Sequence, residues 1–211
     1  MFNKELIIRY NFKMENKITV CAMTEKGFRV VSYLIENHKG IIHEVLIGTD
    51  KNIENDWSNE IKSLCDGNDI RSTFRGKSFS VSTEYVMTIS WRWLIKHPEE
   101  KLIIFHDSIL PRYRGFSPLV NSLLNSEKQI GVTALFGAEK YDAGDIIYQS
   151  LSEITYPIEI SDAIEKVIKN YIECVRFVAL SIERGETLVG VRQKDSEASY
   201  SLWRDEDDYF I

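Results

Sequence analysis

From residue 160 to residue 182, apolar side chains recur every three or four positions, through Ala163, Ile164, Val167, Ile168, Tyr171, Val175, Val178 and Ala179. That is the period of an α-helix, and a stripe held this long gives a rod about 30 Å in length with one apolar side. Such a helix needs a broad apolar partner. Short runs rich in β-branched residues supply one, at 17–23, 41–49, 85–89, 102–105, 129–137 and 146–149, with 187–192 as a last candidate. Between them lie shorter helical patterns: Phe28, Val31, Leu34 and Ile35 after Thr24, which suits an N-cap; Trp57, Ile61 and Leu64 within 54–66; and Leu119, Leu123 and Leu124 after Ser117 and Pro118. Alternation of this kind predicts an α/β fold, a mainly parallel twisted sheet with helices on both faces. Residues 69–80 read as polar and irregular.

Composition narrows the class. Apolar residues make up 44% and charged residues 27% of the 211, the balance of an ordinary globular chain. One main domain over 17–192 accounts for the pattern, preceded by an extension at 1–16 and followed by a tail at 193–211. Translation starts at Met1 or Met14, and residues 6–10 offer an extra strand. The formal charge of −6, with basic residues scattered, disfavours a nucleic-acid partner. Cys21, Cys65 and Cys174 are far apart and odd in number, which indicates neither a disulfide framework nor a metal site and fits a cytoplasmic protein. No apolar run reaches the roughly 18 residues of a membrane span.

In open α/β sheets, ligands gather beyond the carboxyl ends of the strands. Three such ends stand out. After 85–89 come Ser90, Trp91, Arg92, Trp93 and Leu94, whose indoles either stack a flat ring or fill the interior. After 102–105 come His106, Asp107 and Ser108, then Pro111, Arg112, Tyr113, Arg114 and Gly115. After 129–137 come Ala138, Glu139, Lys140, Tyr141, Asp142, Gly144 and Asp145. A histidine beside a carboxylate can exchange a proton near neutral pH. His106 and Asp142 fit that pair, with Asp107 and Asp145 as competing carboxylates. His38, His43 and His97 read as surface or structural groups.

Three ordered segments, FHDSILPRYRG at 105–115, GVTALF at 131–136 and YDAGDIIYQ at 141–149, resemble the folate-dependent formyltransferases. In that family a His-x-Ser-Leu-Leu-Pro segment precedes the Asp of an Asp-x-Gly-x-Ile motif by some 36 residues, and Asp142 lies 36 residues after His106. The resemblance implies a Rossmann-like formyltransferase fold and transfer of a formyl group from 10-formyltetrahydrofolate to a primary amine. His106 would be the acid/base group and oxyanion partner, and Asp142 would orient it and favour its protonated form. Backbone at Trp91, Arg92, Trp93 and Leu94 and at Ala138, Glu139, Lys140 and Tyr141 would wall the pterin. Ser108, Arg112, Tyr113, Arg114 and Gly115 would border the formyl and acceptor side. The resemblance also implies a cis peptide between Leu110 and Pro111.

One position departs from the family. Its catalytic asparagine lies two residues before the histidine, where this chain has Ile104. Losing one oxyanion donor costs roughly 10²–10³ in turnover, so the resemblance leaves open an impaired folate or nucleotide-sugar binding protein. Among family branches the YRGFSP continuation and the 198–211 tail are most similar to sugar N-formyltransferases acting on dTDP- or UDP-linked amino sugars, a branch in which a further small subdomain helps form a homodimer. A methionyl-tRNA formyltransferase-like enzyme without its RNA-binding domain is the other reading. The TEKG loop at 24–27 lacks the glycine-rich phosphate loop of the glycinamide branch.

Overall fold

The structure, a computed structural model, describes residues 17–76 and 80–202. The expectations for 1–16, including the strand at 6–10, and for 203–211 lie outside the described residues.

Seven strands form one sheet in the order β3-β2-β1-β4-β5-β7-β8. β1 (Ile18–Ala22), β2 (Ile42–Ile47), β3 (Ser72–Phe74), β4 (Tyr85–Ile89) and β5 (Leu102–His106) run parallel, while β7 (Gln129–Phe136) pairs antiparallel with both β5 and β8 (Ile146–Glu153). β1 and β4 are buried at every residue, which is why they read as continuous apolar runs rather than alternating ones. The order reverses between β1 and β4, so their carboxyl ends open a crevice. β6 (Arg114–Gly115) and β9 (Tyr200–Ser201) form a separate two-stranded parallel pair. β3 falls where an irregular segment was expected, and the 187–192 candidate makes only an isolated bridge, Val191 to Ile146.

The helices are α1 (Thr24–His38), α2 (Ser58–Asp66), α3 (Pro118–Leu124) and α4 (Ile160–Glu183). α4 is the stripe that opened the sequence reading, and its apolar side packs on β7, β8 and α1. α2 begins at Ser58, later than expected, where Asp56 Oδ1 accepts from the Ser58 amide at 3.0 Å. Thr24 is the first helical residue, and Met23 takes the N-cap position with no side-chain bond.

The mainly parallel sheet with its helices is as expected, but the cover is uneven. All four helices feed one large apolar cluster, with Val20, Val45, Met87, Ile103 and Phe105 from the strands. On the opposite face a smaller cluster of Cys21, Leu46 and Val86 is covered by Val81, Trp91 and Ile95 from irregular segments. The connections on either side of β4 hold no α-helix among the described residues, and Pro98 sits in the second of them. Among the described residues, the face carrying Ile104 and His106 is therefore free of helical cover.

Candidate functional site

Alternation along β5 sends Ile103 and Phe105 into the helix-covered core and Ile104 and His106 to the other face. His106 is 8% exposed, and both ring nitrogens have defined neighbours. Nε2 lies 2.8 Å from the carbonyl oxygen of Tyr113. A carbonyl only accepts, so Nε2 carries the proton. Nδ1 points to Asp142, 3.6 Å from Oδ2, beyond direct hydrogen-bond range but close enough for charge to act. The Gly115 amide donates to that same Asp142 oxygen at 2.9 Å.

The competing carboxylates lie elsewhere. Asp107 follows the alternation back toward the helices, where Lys26 of α1 and the Tyr171 hydroxyl of α4 both donate to it. Burial alone would raise its pKa, but the Lys26 charge, the bonds from Lys26 and Tyr171 and the nearby His106 outweigh that and hold it below the usual carboxylate range. Asp145 is exposed, and its carbonyl accepts from the Phe136 amide.

The loop bearing Asp142 lies tightly against β7. A Cβ at Gly144 would fall 1.9 Å from the Phe136 carbonyl oxygen, so only glycine fits there. Asp142 itself has φ +52°, and Thr24, Ser90 and Tyr113 are likewise left-handed at φ +64°, +52° and +60°. Each such residue costs about 1–3 kcal/mol. Thr24, Ser90 and Tyr113 follow the carboxyl ends of the parallel strands β1, β4 and β5, the edge where a ligand site is expected, while β7 runs antiparallel and its loop brings Asp142 back to that edge from the opposite one. The Leu110–Pro111 peptide is cis, as the resemblance implied.

The residues expected to border the acceptor side are tied together by hydrogen bonds within the chain. Ser108 Oγ donates to the Arg112 carbonyl at 2.8 Å, and the Arg112 guanidinium grips both oxygens of Glu127. Arg114, 2% exposed, gives Nε and Nη2 to Gln193 Oε1 at 3.0 and 2.8 Å and Nη1 to Asp195 at 3.1 Å. Ser108, Arg112, Tyr113 and Arg114, expected to border the formyl and acceptor side, all hydrogen-bond within the chain, as buried or packed polar groups do. Two of the five touch the His106–Asp142 pair, Tyr113 through its carbonyl and Gly115 through its amide.

Trp91 packs against the smaller cluster of Cys21, Leu46 and Val86. Trp91 and Trp93 meet edge to face at 4.9 Å, beside Gly48 at the end of β2, and the Arg75 guanidinium stacks 4.2 Å above Trp93. Arg92 pairs with Asp50 at 2.5 Å, while Leu94 is 80% exposed. Ala138, Glu139, Lys140 and Tyr141 are all exposed on the loop before Asp142.

Two contributors carried no sequence signal. Gln193, in the segment expected as a tail, donates to the Asp142 and Gly144 carbonyls at 2.8 and 2.7 Å while accepting from Arg114. One buried amide thus joins the Asp142 loop to the loop that holds His106. Ser199 Oγ accepts from the Tyr113 amide at 2.9 Å. Residues 193–202 are therefore part of the domain's packing. No helix among the described residues is long and apolar enough to cross a membrane.

Residues 78–172 match the formyl transferase family. Among curated proteins, a methionyl-tRNA formyltransferase of Syntrophomonas wolfei is 33% identical over 119 residues, 56% of this chain and 38% of that protein. One from Halothermothrix orenii is 30% identical over 148 residues, 67% of this chain and 46% of that protein. The chain thus spans less than half the length of these relatives. Among solved structures, an N-formyltransferase from Helicobacter canadensis, in complex with folinic acid and dTDP-3-aminofucose, superposes with a TM-score of 0.72 at 18% identity, covering 91% of this chain and 71% of that one. A sugar 3N-formyl transferase with dTDP and 5-N-formyl-THF gives 0.71 at 19%, covering 89% and 69%. A methionyl-tRNA formyltransferase from Clostridium thermocellum gives 0.59 at 18%, covering 90% and 74%. His106 and Asp142 both fall inside the segment that matches the formyl transferase family, and the chain has the fold that the sugar, phosphoribosylglycinamide and methionyl-tRNA formyltransferases share.

Proposed function

We propose that this chain moves a formyl group from 10-formyltetrahydrofolate to a primary amine, and that the amine belongs to a nucleotide-linked amino sugar. The pairing of His106 and Asp142, on the sheet face that no described helix covers and at the carboxyl end of β5, is the observation that carries the reading. An amine that attacks a formyl carbon must lose a proton, and the leaving nitrogen must gain one. Nδ1 of His106 is the ring nitrogen open to that traffic, since Nε2 is committed to Tyr113. Asp142 steadies the imidazolium while the proton is held, and Gly115 and Gln193 keep Asp142 in place.

Ile104 occupies the position where the resemblance expects an amide donor. Its register partners on either side are Thr88 and Leu135. Turnover then depends on another donor for the oxyanion.

Two observations support a sugar acceptor: the sugar N-formyltransferase structures superpose with TM-scores of 0.71 and 0.72, and a formal charge of −6 opposes a polyanionic partner. The sequence relatives favour a second acceptor, methionyl-tRNA. The deciding experiment supplies 10-formyltetrahydrofolate with a panel of dTDP- and UDP-linked amino sugars in one arm and methionyl-tRNA in the other, and follows release of tetrahydrofolate. Turnover with a sugar nucleotide supports the reading; turnover with methionyl-tRNA alone transfers it to the second acceptor. No turnover at high protein, with folate binding by calorimetry, would make the chain a binding protein. Asp142→Asn keeps an acceptor for the Gly115 amide but removes the charge. It should lower turnover about 100-fold with the melting temperature nearly unchanged, and equal activity would remove Asp142 from the mechanism.

A further inference from the structure

Tyr113 is an unusual residue to find in the left-handed region. Its φ of +60° is one that L side chains seldom adopt, yet its polar atoms are all held. The side chain is 8% exposed. Its hydroxyl donates to Glu127 Oε1 at 2.5 Å and accepts from Asn125 Nδ2 at 3.1 Å, and Glu127 is itself gripped by Arg112. Its amide donates to Ser199 Oγ at 2.9 Å. These contacts over-determine the backbone, and what that backbone presents is a carbonyl 2.8 Å from His106 Nε2.

We propose that Tyr113 is a positioning residue for His106: clamped by Glu127, Asn125 and Ser199 in a left-handed conformation, it aims its carbonyl at Nε2 and so fixes the tautomer that leaves Nδ1 bare toward Asp142. In the other tautomer, Nδ1–H would face the carboxylate and the bare Nε2 would face a carbonyl oxygen, a repulsive contact with no proton between them. The clamp thus decides which nitrogen exchanges protons. The inference deepens the proposed formyl transfer and rests on that reading for its kinetic arm only; the spectroscopic arm stands without it.

The test uses ¹⁵N-histidine labelling of the full chain, with the His106 signals assigned by their loss in His106→Gln, and compares Tyr113→Ala with Tyr113→Gly. Both variants lose the same ring and hydroxyl. Only glycine holds a positive φ without steric cost, so it separates the conformation from the packing. At a pH where the imidazole is neutral, wild-type His106 should show the Nε2–H form. The alanine variant should shift toward Nδ1–H, and the glycine variant should retain more of the wild-type form. Tyr113→Phe, which keeps the ring but loses the Glu127 and Asn125 bonds, should fall between wild type and alanine and serves if alanine does not fold. In the kinetic arm, kcat should drop about tenfold in the alanine variant with KM little changed, with partial recovery in glycine. A wild-type Nδ1–H tautomer, an unchanged tautomer in the alanine and phenylalanine variants, or equal shifts in alanine and glycine would each overturn the proposal. An inactive wild type with the predicted tautomer pattern would defeat formyl transfer but leave the clamp standing.

Discussion

The pair Lys26–Asp107 tests whether the His106 strand end is pinned to the helices by buried charge. The two side chains are 19% and 15% exposed, and the Tyr171 hydroxyl donates to Asp107 and lies 3.2 Å from the Phe105 carbonyl oxygen. In Lys26→Met the carboxylate stays buried with Tyr171 as its main remaining donor. Removing one partner of a buried pair costs about 3–5 kcal/mol, and for a chain of this size each kcal/mol moves the melting temperature by about 2–4 °C. A fall of roughly 10 °C is the expectation. Asp107→Asn should cost less, because the long Lys26 stem can carry its ammonium to water while an amide oxygen still accepts from Tyr171.

The double variant removes both charges, so its loss should fall short of the two single losses combined by about 1–3 kcal/mol. Denaturant melts of the four proteins at pH 7 measure this directly. The pH dependence has a definite sign. Asp107 is held below its ordinary pKa in the folded protein, so its contribution is present above the unfolded value of about 3.9 and disappears as the pH falls through the lower folded value. Lys26→Met should flatten that acid limb. A shift under about 2 °C for Lys26→Met, or additive single losses, would refute the pinning.

Three further outcomes follow from the geometry. Ile104→Asn places an amide beside His106 on the same face of β5 and should raise formyl-transfer turnover, by up to about 10²-fold if no other group already supplies that donor; an unchanged rate would mean one does. Gln193→Ala leaves the Asp142 and Gly144 carbonyls and the Arg114 guanidinium without their shared partner, and should lower stability by about 2–3 kcal/mol together with turnover; a silent variant would remove the bridge from the site. Burial pushes the Cys65 thiol up to about 11 and the Cys174 thiol up to about 12, and Cys21 upward as well. The native protein should therefore resist Ellman's reagent at pH 8, with all three thiols reacting after unfolding, and fast native labelling would contradict that burial.

How much of this was legible in the sequence depends on the range over which each feature acts. β1 and β4 are apolar because both of their faces are buried, and α4 shows its stripe because one side of a long helix must be; these are local consequences of packing and could be read directly. β3, three residues long with Thr73 and Phe74 exposed, has too little pattern to separate from a loop. The uneven cover was hidden for a related reason: alternating strands imply crossover helices, but nothing marks the connections around β4 as irregular except Pro98 and an absent stripe. Of the three carboxylates that the sequence offers to His106, Asp107 could have been set aside by strand alternation alone, which turns it to the opposite face. Choosing Asp142 over Asp145 took the 36-residue spacing of a resemblance. Lys26 and Gln193 lie 81 and 51 residues from the partners they hold, and single polar residues at that distance leave no periodicity to detect. Tyr113 is the sharpest case. A glycine there would have advertised a left-handed turn, whereas a tyrosine reads as an ordinary aromatic, and the conformation that aims its carbonyl at His106 arises only when Glu127, Asn125 and Ser199 close around it.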